Sequence, residues 1–293
     1  MADISAQDVK ALREKTGAGM MECKNALVET QGDFARAEKI LKEKGLAALE
    51  KRADRATKAG KVTVKAKNGN SAIALVEMVS ETDFVARNPE FIAIGETIAE
   101  RVLDGNFDEK DLSPDGKVYL EFNSLVTDLA TKIRENMSLK RIKLIRASND
   151  EYLASYIHGD GALGVVVKCR ADKPEVFQKQ EAKAFIFNLA LHIAAFNPMA
   201  LDRGKIDPLH LKEQEEIFRK QMELDEKMKD KPANVIENIL KGKVSKYLAD
   251  ICLMDQGYVK DEKMTVSRAL EDINKQLGAI ISVTDYVYLK VGV

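Results

Sequence analysis

Gly159-Asp160-Gly161-Ala162-Leu163-Gly164 matches the G-x-G-x-x-G pattern of dinucleotide-binding loops. That chemistry requires the loop to end a strand and open a helix, whose N-terminus holds the pyrophosphate. Here the pattern runs into Val165-Val166-Val167, an apolar stretch that reads as a strand, so the glycines read as a hairpin turn. No phosphate loop ending in Gly-Lys-Ser/Thr occurs, so neither direct nucleotide binding of that kind nor any other cofactor is expected. His158, His192 and His210 lack metal-ligand spacing. His192 lies on an apolar helical face and reads as a satisfied core histidine, and His210 reads as solvated. Cys23, Cys169 and Cys252 are too far apart for a disulfide framework or a zinc site. They read as small buried hydrophobes in a reducing compartment. No Ser or Cys stands in a nucleophile elbow, and no carboxylate pair is marked as an acid/base couple. A catalytic site is therefore not expected, and the residues left to act are those that can contact another macromolecule.

The bulk properties narrow that macromolecule. A length of 293 residues suits about two domains. A net charge of −1 argues against a broad electrostatic grip on nucleic acid or on an anionic membrane. With no Trp and 6% aromatic residues, base-stacking platforms are not expected either. Met1-Ala2-Asp3-Ile4 shows no basic segment leading into an apolar run, and no apolar stretch approaches the roughly 20 residues of a membrane span. The expectation is a soluble, cytoplasmic protein that binds another protein.

The elements that must position such contacts follow from periodicity. Residues 1–46 read as three short helices, with Thr16-Gly17-Ala18-Gly19 between the first two. Met20, Cys23, Ala26 and Leu27 share a face of the second, Asp33 caps the third, and Gly45 is expected to close it. Residues 47–60 are basic and read as a linker. From residue 61 the period becomes two. Val62 and Val64 lead to the Asn68-Gly69 hairpin turn, and residues 72–79 return as a strand apolar on both faces. Helices are expected over about 90–103 and 117–137. Strands at 142–145, 152–157 and 162–167 and a helix at 181–196 then repeat the order, which points to two related α+β units, at 61–140 and 141–293. Residues 207–250 read as an antiparallel coiled-coil hairpin. Its expected seam sets Ile217, Leu224 and Met228 against Val235, Ile239 and Val244. A helix over Val266–Leu277 and a strand over 283–291 close the chain.

Two segments narrow the reading further. Leu12-Arg13-Glu14-Lys15-Thr16-Gly17-Ala18-Gly19-Met20-Met21-Glu22-Cys23-Lys24-Asn25-Ala26-Leu27 and Glu77-Met78-Val79-Ser80-Glu81-Thr82-Asp83-Phe84-Val85-Ala86-Arg87 resemble the two signature stretches of the elongation factor Ts family. The likeness continues through Ile157-His158-Gly159 and Leu191-His192-Ile193-Ala194-Ala195, over nearly the whole chain. Val79 stands where the family usually has Asn, and some members extend past the position of Val293 into a C-terminal helical module. The resemblance implies an α+β fold with an N-terminal UBA-like module and a protruding coiled coil. It implies guanine-nucleotide exchange on elongation factor Tu during translation elongation. It also implies partner contacts at Arg13, Met20, Met21 and Lys24, at Thr82, Asp83, Phe84 and Val85, and at Ile133 and His158. Phe84 would enter the partner near its magnesium and phosphates. A homodimer or a two-plus-two complex stays open, as does a scaffold of the same GTPase that lacks exchange activity.

Overall fold

Ser5 begins the ordered helices with a reciprocal cap. The Asp8 amide donates to its hydroxyl at 3.1 Å, and its own amide donates to the Asp8 carboxylate at 3.1 Å. A computed structural model describes residues 4–225, 228 and 231–293. Residues 1–3 and the end of the first expected hairpin arm at 226–227 lie outside the described residues. Helix α1 (Ala6–Thr16) ends where Gly17, at φ 67°, takes the left-handed cap. Helices α2 (Met20–Glu29) and α3 (Phe34–Glu50) complete a small core of Val9, Leu12, Cys23, Ala26, Leu27, Ala37 and Leu41. Gly45 does not close α3, which runs on to Glu50. A Cβ at Gly45 would lie 3.2 Å from the Thr131 side chain, so this glycine permits close packing on the core instead of stopping the helix. The segment read as a linker therefore starts with the last turn of α3, and its irregular part is 51–58.

Strands β1 (Ala59–Ala66) and β2 (Ala72–Ser80) form the hairpin expected at Asn68-Gly69. After the one-turn helix α4 (Asp83–Ala86) come α5 (Pro89–Asp104), α6 (Lys117–Ile133) and β3 (Met137–Arg146), which pairs antiparallel with β2. The expected helix 117–137 stops early because Arg134 turns left-handed at φ 69° and Met137 enters the sheet. Since β3 belongs to the first sheet, the chain crosses to the second unit at 147–150, beyond the 140/141 boundary read from the sequence. The second unit contains β4 (Glu151–His158), β5 (Leu163–Ala171), α7 (Gln180–Phe196), α8 (Pro208–Glu223) and α9 (Ala233–Ile251). It closes with β6 (Gly257–Tyr258), β7 (Asp261–Thr265), α10 (Val266–Leu277) and β8 (Ile281–Lys290). The β6–β7 pair was not foreseen, because Asp261-Glu262-Lys263 carries no alternating apolar pattern.

The two main sheets share one topology, β1-β2-β3 and β4-β5-β8, each with its second strand in the middle. One face of each sheet is covered by helices. Val76 and Met78 pack with Phe91, Ile98 and Phe122, while Val165 and Val167 pack with Ile186, Leu189 and Val266. The other faces meet each other through Val62, Ile73, Leu75, Leu153, Val166 and Leu289. The order of layers is helix, sheet, sheet, helix. It explains why every residue of β2 is buried and why its sequence shows no polar alternation.

Helices α8 and α9 run antiparallel, with His210 within 2.7 Å of the Tyr247 hydroxyl and Arg219 paired with Glu237 at 3.1 Å. Their buried line differs from the expected seam. Met222, Leu240 and Leu248 are buried, whereas Ile217 and Leu224 are exposed. Helix α8 ends at Glu223, so Leu224 leaves the helical period, and Phe218, not Ile217, meets the Tyr247 ring edge-on.

Candidate partner-binding site

The β2 strand ends at Ser80, and the next residues turn into α4. One helical turn exposes Asp83 and Phe84 and turns Val85 and Ala86 inward. Phe84 is 81% exposed, an unusual state for a side chain of that apolar area. Val85 is buried among the core residues around Phe91. This corrects its place among the surface contacts, because the turn that lifts Phe84 outward aims its neighbour at the core. Asp83 pairs with Arg87 at 3.3 Å across the same turn.

The base of this turn is clasped by residues far along the chain. The amide of Thr82 donates to the Glu135 carboxylate at 3.2 Å, and the Thr82 hydroxyl donates to it at 3.0 Å. In return, the Asn136 amide donates to Glu81 at 2.7 Å and holds that carboxyl below its ordinary range, with Arg55 adding to the effect at 3.2 Å. The Asn136 side-chain amide donates to the carbonyls of Ala53 and Arg55 at 3.1 and 2.9 Å. Two residues earlier, the carbonyl of Arg134 accepts from Arg52, while its guanidinium pairs with Glu22 of α2. That contact holds the Glu22 carboxyl low, helped by the Gly19 amide.

The same three-residue turn thus ties the N-terminal helices to α4. On those helices Arg13, Met20, Met21 and Lys24 are all exposed, Met21 by 64%. The two methionines occupy the first turn of α2, and the buried face begins at Cys23. Ile133, the last residue of α6, is partly buried against the core cluster under α4 and presents only part of its side chain. His158, at the end of β4, is exposed and lies 2.9 Å from the Tyr156 hydroxyl through Nδ1. The tip that follows it is fastened to β1, with Asp160 pairing with Lys61 at 3.0 Å. The Lys61 hydrogen bond holds the Asp160 carboxyl below its usual range, and the charge of Arg87, which follows α4, acts in the same direction. Short polar contacts therefore link α4 to the N-terminal helices through residues 134–136, while the tip after His158 is fastened to β1.

The sites that resembled small-molecule chemistry resolve structurally. Gly159–Gly161 forms a tight 3-10 turn with Asp160 at φ 56°, and Leu163 then begins a strand. A Cβ on Gly161 would lie 2.6 Å from Lys61, and one on Gly164 would lie 2.7 Å from Val62, so both glycines serve close packing. His192 is fully buried. The Val259 amide donates to its Nδ1 at 3.2 Å, which leaves the proton on Nε2 to donate to Gln256 at 2.9 Å. Burial pushes its pKa down, against the opposing hydrogen bond it donates to Gln256. All three cysteines are buried and free. Among the described residues no group of three or more His, Cys, Asp or Glu is arranged to hold a metal, and no helix is long and apolar enough to cross a membrane.

Glu135 and Asn136 were missed in the sequence. The only local signal was a polar pair where a helical period gives way to a strand period, and their partners lie more than 50 positions away.

An α+β scaffold with an exposed aromatic tip and an exposed Met pair, both anchored to one turn, has the form of a protein that works through its surface. The family model described as elongation factor TS matches residues 81–293. Proteins named elongation factor Ts are similar over almost the whole length. That of Treponema denticola is 47% identical over 291 residues, covering 99% of each chain. That of Treponema pallidum (strain Nichols) is 42% identical over 300 residues, again 99% of each. That of Borreliella burgdorferi (strain B31) is 38% identical over 293 residues, covering 100% of both chains. The chain belongs to the elongation factor Ts family, the nucleotide exchange factors of translation elongation, whose partner is elongation factor Tu.

Proposed function

We propose that this protein promotes GDP release from elongation factor Tu by inserting Phe84 beside the partner's magnesium and phosphate site. The carrying observation is the 81% exposure of Phe84 on a turn whose base is buried and clasped. A GTPase holds its nucleotide through backbone amides, a Lys and magnesium on the phosphates. A factor that competes with those contacts weakens nucleotide binding as much as nucleotide weakens the factor's own binding. A loosening of about 10⁴-fold takes about 5.5 kcal/mol of differential binding. Burying one Phe contributes roughly 1.5–3 kcal/mol, so Phe84 alone is insufficient. The remainder comes from Asp83, from Arg13, Met20, Met21 and Lys24 on a UBA-like module, and from Ile133 and His158. The methionines suit this role because their flexible, polarizable side chains adapt to a partner surface. Exchange needs no proton transfer, no covalent step and no nucleotide bound to this chain, and it takes place in the cytoplasm. Helices α8 and α9 act as a coiled-coil arm outside the primary contact, available for self-association or a two-plus-two complex.

Stopped-flow release of labelled GDP from the matching elongation factor Tu tests this reading. Phe84→Ala is expected to slow maximal release by about 10- to 100-fold, the kinetic equivalent of losing one buried Phe. A wild-type rate in that variant would remove the wedge.

A further inference from the structure

Phe84 can act as a wedge only if something holds it out. An exposed aromatic on four helical residues has no intrinsic reason to stay in place, because an isolated helical turn is unstable by itself. The ion pair across this turn is Asp83–Arg87, and both partners are well exposed, so it contributes little. Val85 and Ala86 anchor the inner side of the turn in the core. The outer side begins at Thr82, whose amide stands at the helix N-terminus without an intrahelical partner. A side chain 53 positions away supplies that partner. Glu135 takes both the Thr82 amide and the Thr82 hydroxyl on one carboxylate, and the Ser80 hydroxyl donates to the Thr82 carbonyl at 2.9 Å. A carboxylate at a helix start is also favourably placed for the helix dipole.

The turn that carries Glu135 is itself held from the opposite side. Arg134 pairs with Glu22, two residues beyond Met20 on α2, and accepts from Arg52 beyond α3. Asn136 spans the same gap to Ala53 and Arg55. The segment 134–136 therefore meets both exposed surfaces, the Met pair through Glu22 and the Phe84 turn through Thr82. Rigid contacts between two surfaces that engage one partner lower the ordering cost of engaging both together.

We propose that Glu135 is a positioning residue for nucleotide exchange. Its carboxylate clasps Thr82, holds α4 with Phe84 projecting, and, through the Arg134–Glu22 contact beside it, keeps that wedge in register with the N-terminal helices. The inference rests on the reading of Phe84 as the wedge and adds the residue that sets its pose. Glu135 acts through Thr82, so its removal reduces how effectively bound factor expels nucleotide more than how tightly the factor binds.

The test compares full-length wild type, Phe84→Ala, Glu135→Ala, Glu135→Gln and the double variant Phe84→Ala/Glu135→Ala. Labelled GDP release from elongation factor Tu is followed over a range of factor concentrations. Losing a clasp made of hydrogen bonds to a charged group is expected to lower the saturating release rate by about tenfold in Glu135→Ala. The half-saturating concentration should shift by less than about threefold on the same reasoning. Glu135→Gln keeps an acceptor oxygen and recovers most of the rate. In the Phe84→Ala background Glu135→Ala adds nothing further, since the two act as one unit. Amide hydrogen exchange of the free protein should accelerate over residues 82–87 in Glu135→Ala while β2 stays protected. Equal losses in the two backgrounds would overturn the proposal, as would a loss confined to the half-saturating concentration or unchanged protection at 82–87. A wild-type rate in Phe84→Ala would remove the wedge itself and this role with it, a result distinct from additivity. If Glu135→Ala does not fold, Thr82→Val removes the hydroxyl donor alone and carries the same comparison.

Discussion

Phe84 and Val85 are adjacent on one helical turn and face opposite ways. The first exposes its ring and the second packs beside Phe91, Val76 and Met78. Removing two methyl groups from a filled core site leaves a cavity as well as lost apolar burial. Val85→Ala is therefore expected to cost about 2 kcal/mol of unfolding free energy by urea titration. A loss below about 0.5 kcal/mol, usual for surface positions, would mean that Val85 is not core. His192 makes a pH prediction of definite sign. Its folded pKa lies below the ordinary 6.5, so the native state favours the neutral ring that accepts from Val259 and donates to Gln256. Stability is full above the unfolded value and is lost as pH falls below it, because the unfolded chain binds the proton more readily. Urea unfolding at about pH 7.5 and about pH 5.5 should show that loss, and His192→Asn should reduce it. An identical pH slope in the variant would exclude His192 as the source. At this scale the sequence was informative where the argument was local. The apolar face around His192 identified a satisfied core histidine, and the family resemblance marked Phe84 as a contact. Neither feature indicated that Val85 points inward or that Glu135 reaches Thr82.

Among the elements, the α8–α9 hairpin is the most separable. Its stem is fixed by pairs that do not involve its tip. The amide of Met199 donates to Ile251 at 2.8 Å, that of Leu253 donates to Ala200 at 2.9 Å, and Arg203 pairs with Asp255 at 2.8 Å. The outer parts pack mainly on each other through Met222 and Leu240. Replacing roughly residues 214–243 with a short Gly/Ser turn is expected to leave a folded core, since closing a modest loop costs little. Catalysed GDP release at saturating protein should persist, because Phe84 and His158 lie on other elements. Circular dichroism checks the fold and GDP release the function, and a folded deletion protein without exchange activity at any concentration would put the hairpin in the primary contact. The helical period located both arms, but the buried line runs through Met222, Leu240 and Leu248 and not through the seam read from it. A helix with apolar side chains on several faces does not say which of them its neighbour will cover, and here Tyr247 selects Phe218 over Ile217.

For the whole molecule, the governing contact is that between the two sheets. Gly164 lies there, and a Cβ at that position would come 2.7 Å from Val62 and 2.9 Å from Val64. Gly164→Ala is therefore expected to destabilise by about 1–3 kcal/mol through overpacking, measured by urea unfolding, with exchange per folded molecule unchanged at low temperature. A neutral or stabilised variant would show that the sheets can separate without cost. The amino-acid sequence by itself determined the kind and order of the main helices and of the strands of the two larger sheets. It also determined the hairpin at Asn68-Gly69, the strand identity of residues 162–167 and the recurrence of one topology in two units. These depend on side-chain period, caps and turn residues, which act over a few positions. The tertiary structure alone decided what a residue meets across the chain. It set Gly45 against α6 and let α3 continue, brought β3 into the first sheet, and made Gly164 the point where the sheets touch. It also brought Glu135 beneath Thr82 and Glu22 beside Arg134. Such contacts join positions tens of residues apart, and no local preference encodes them, because each follows from the layers closing over a shared core.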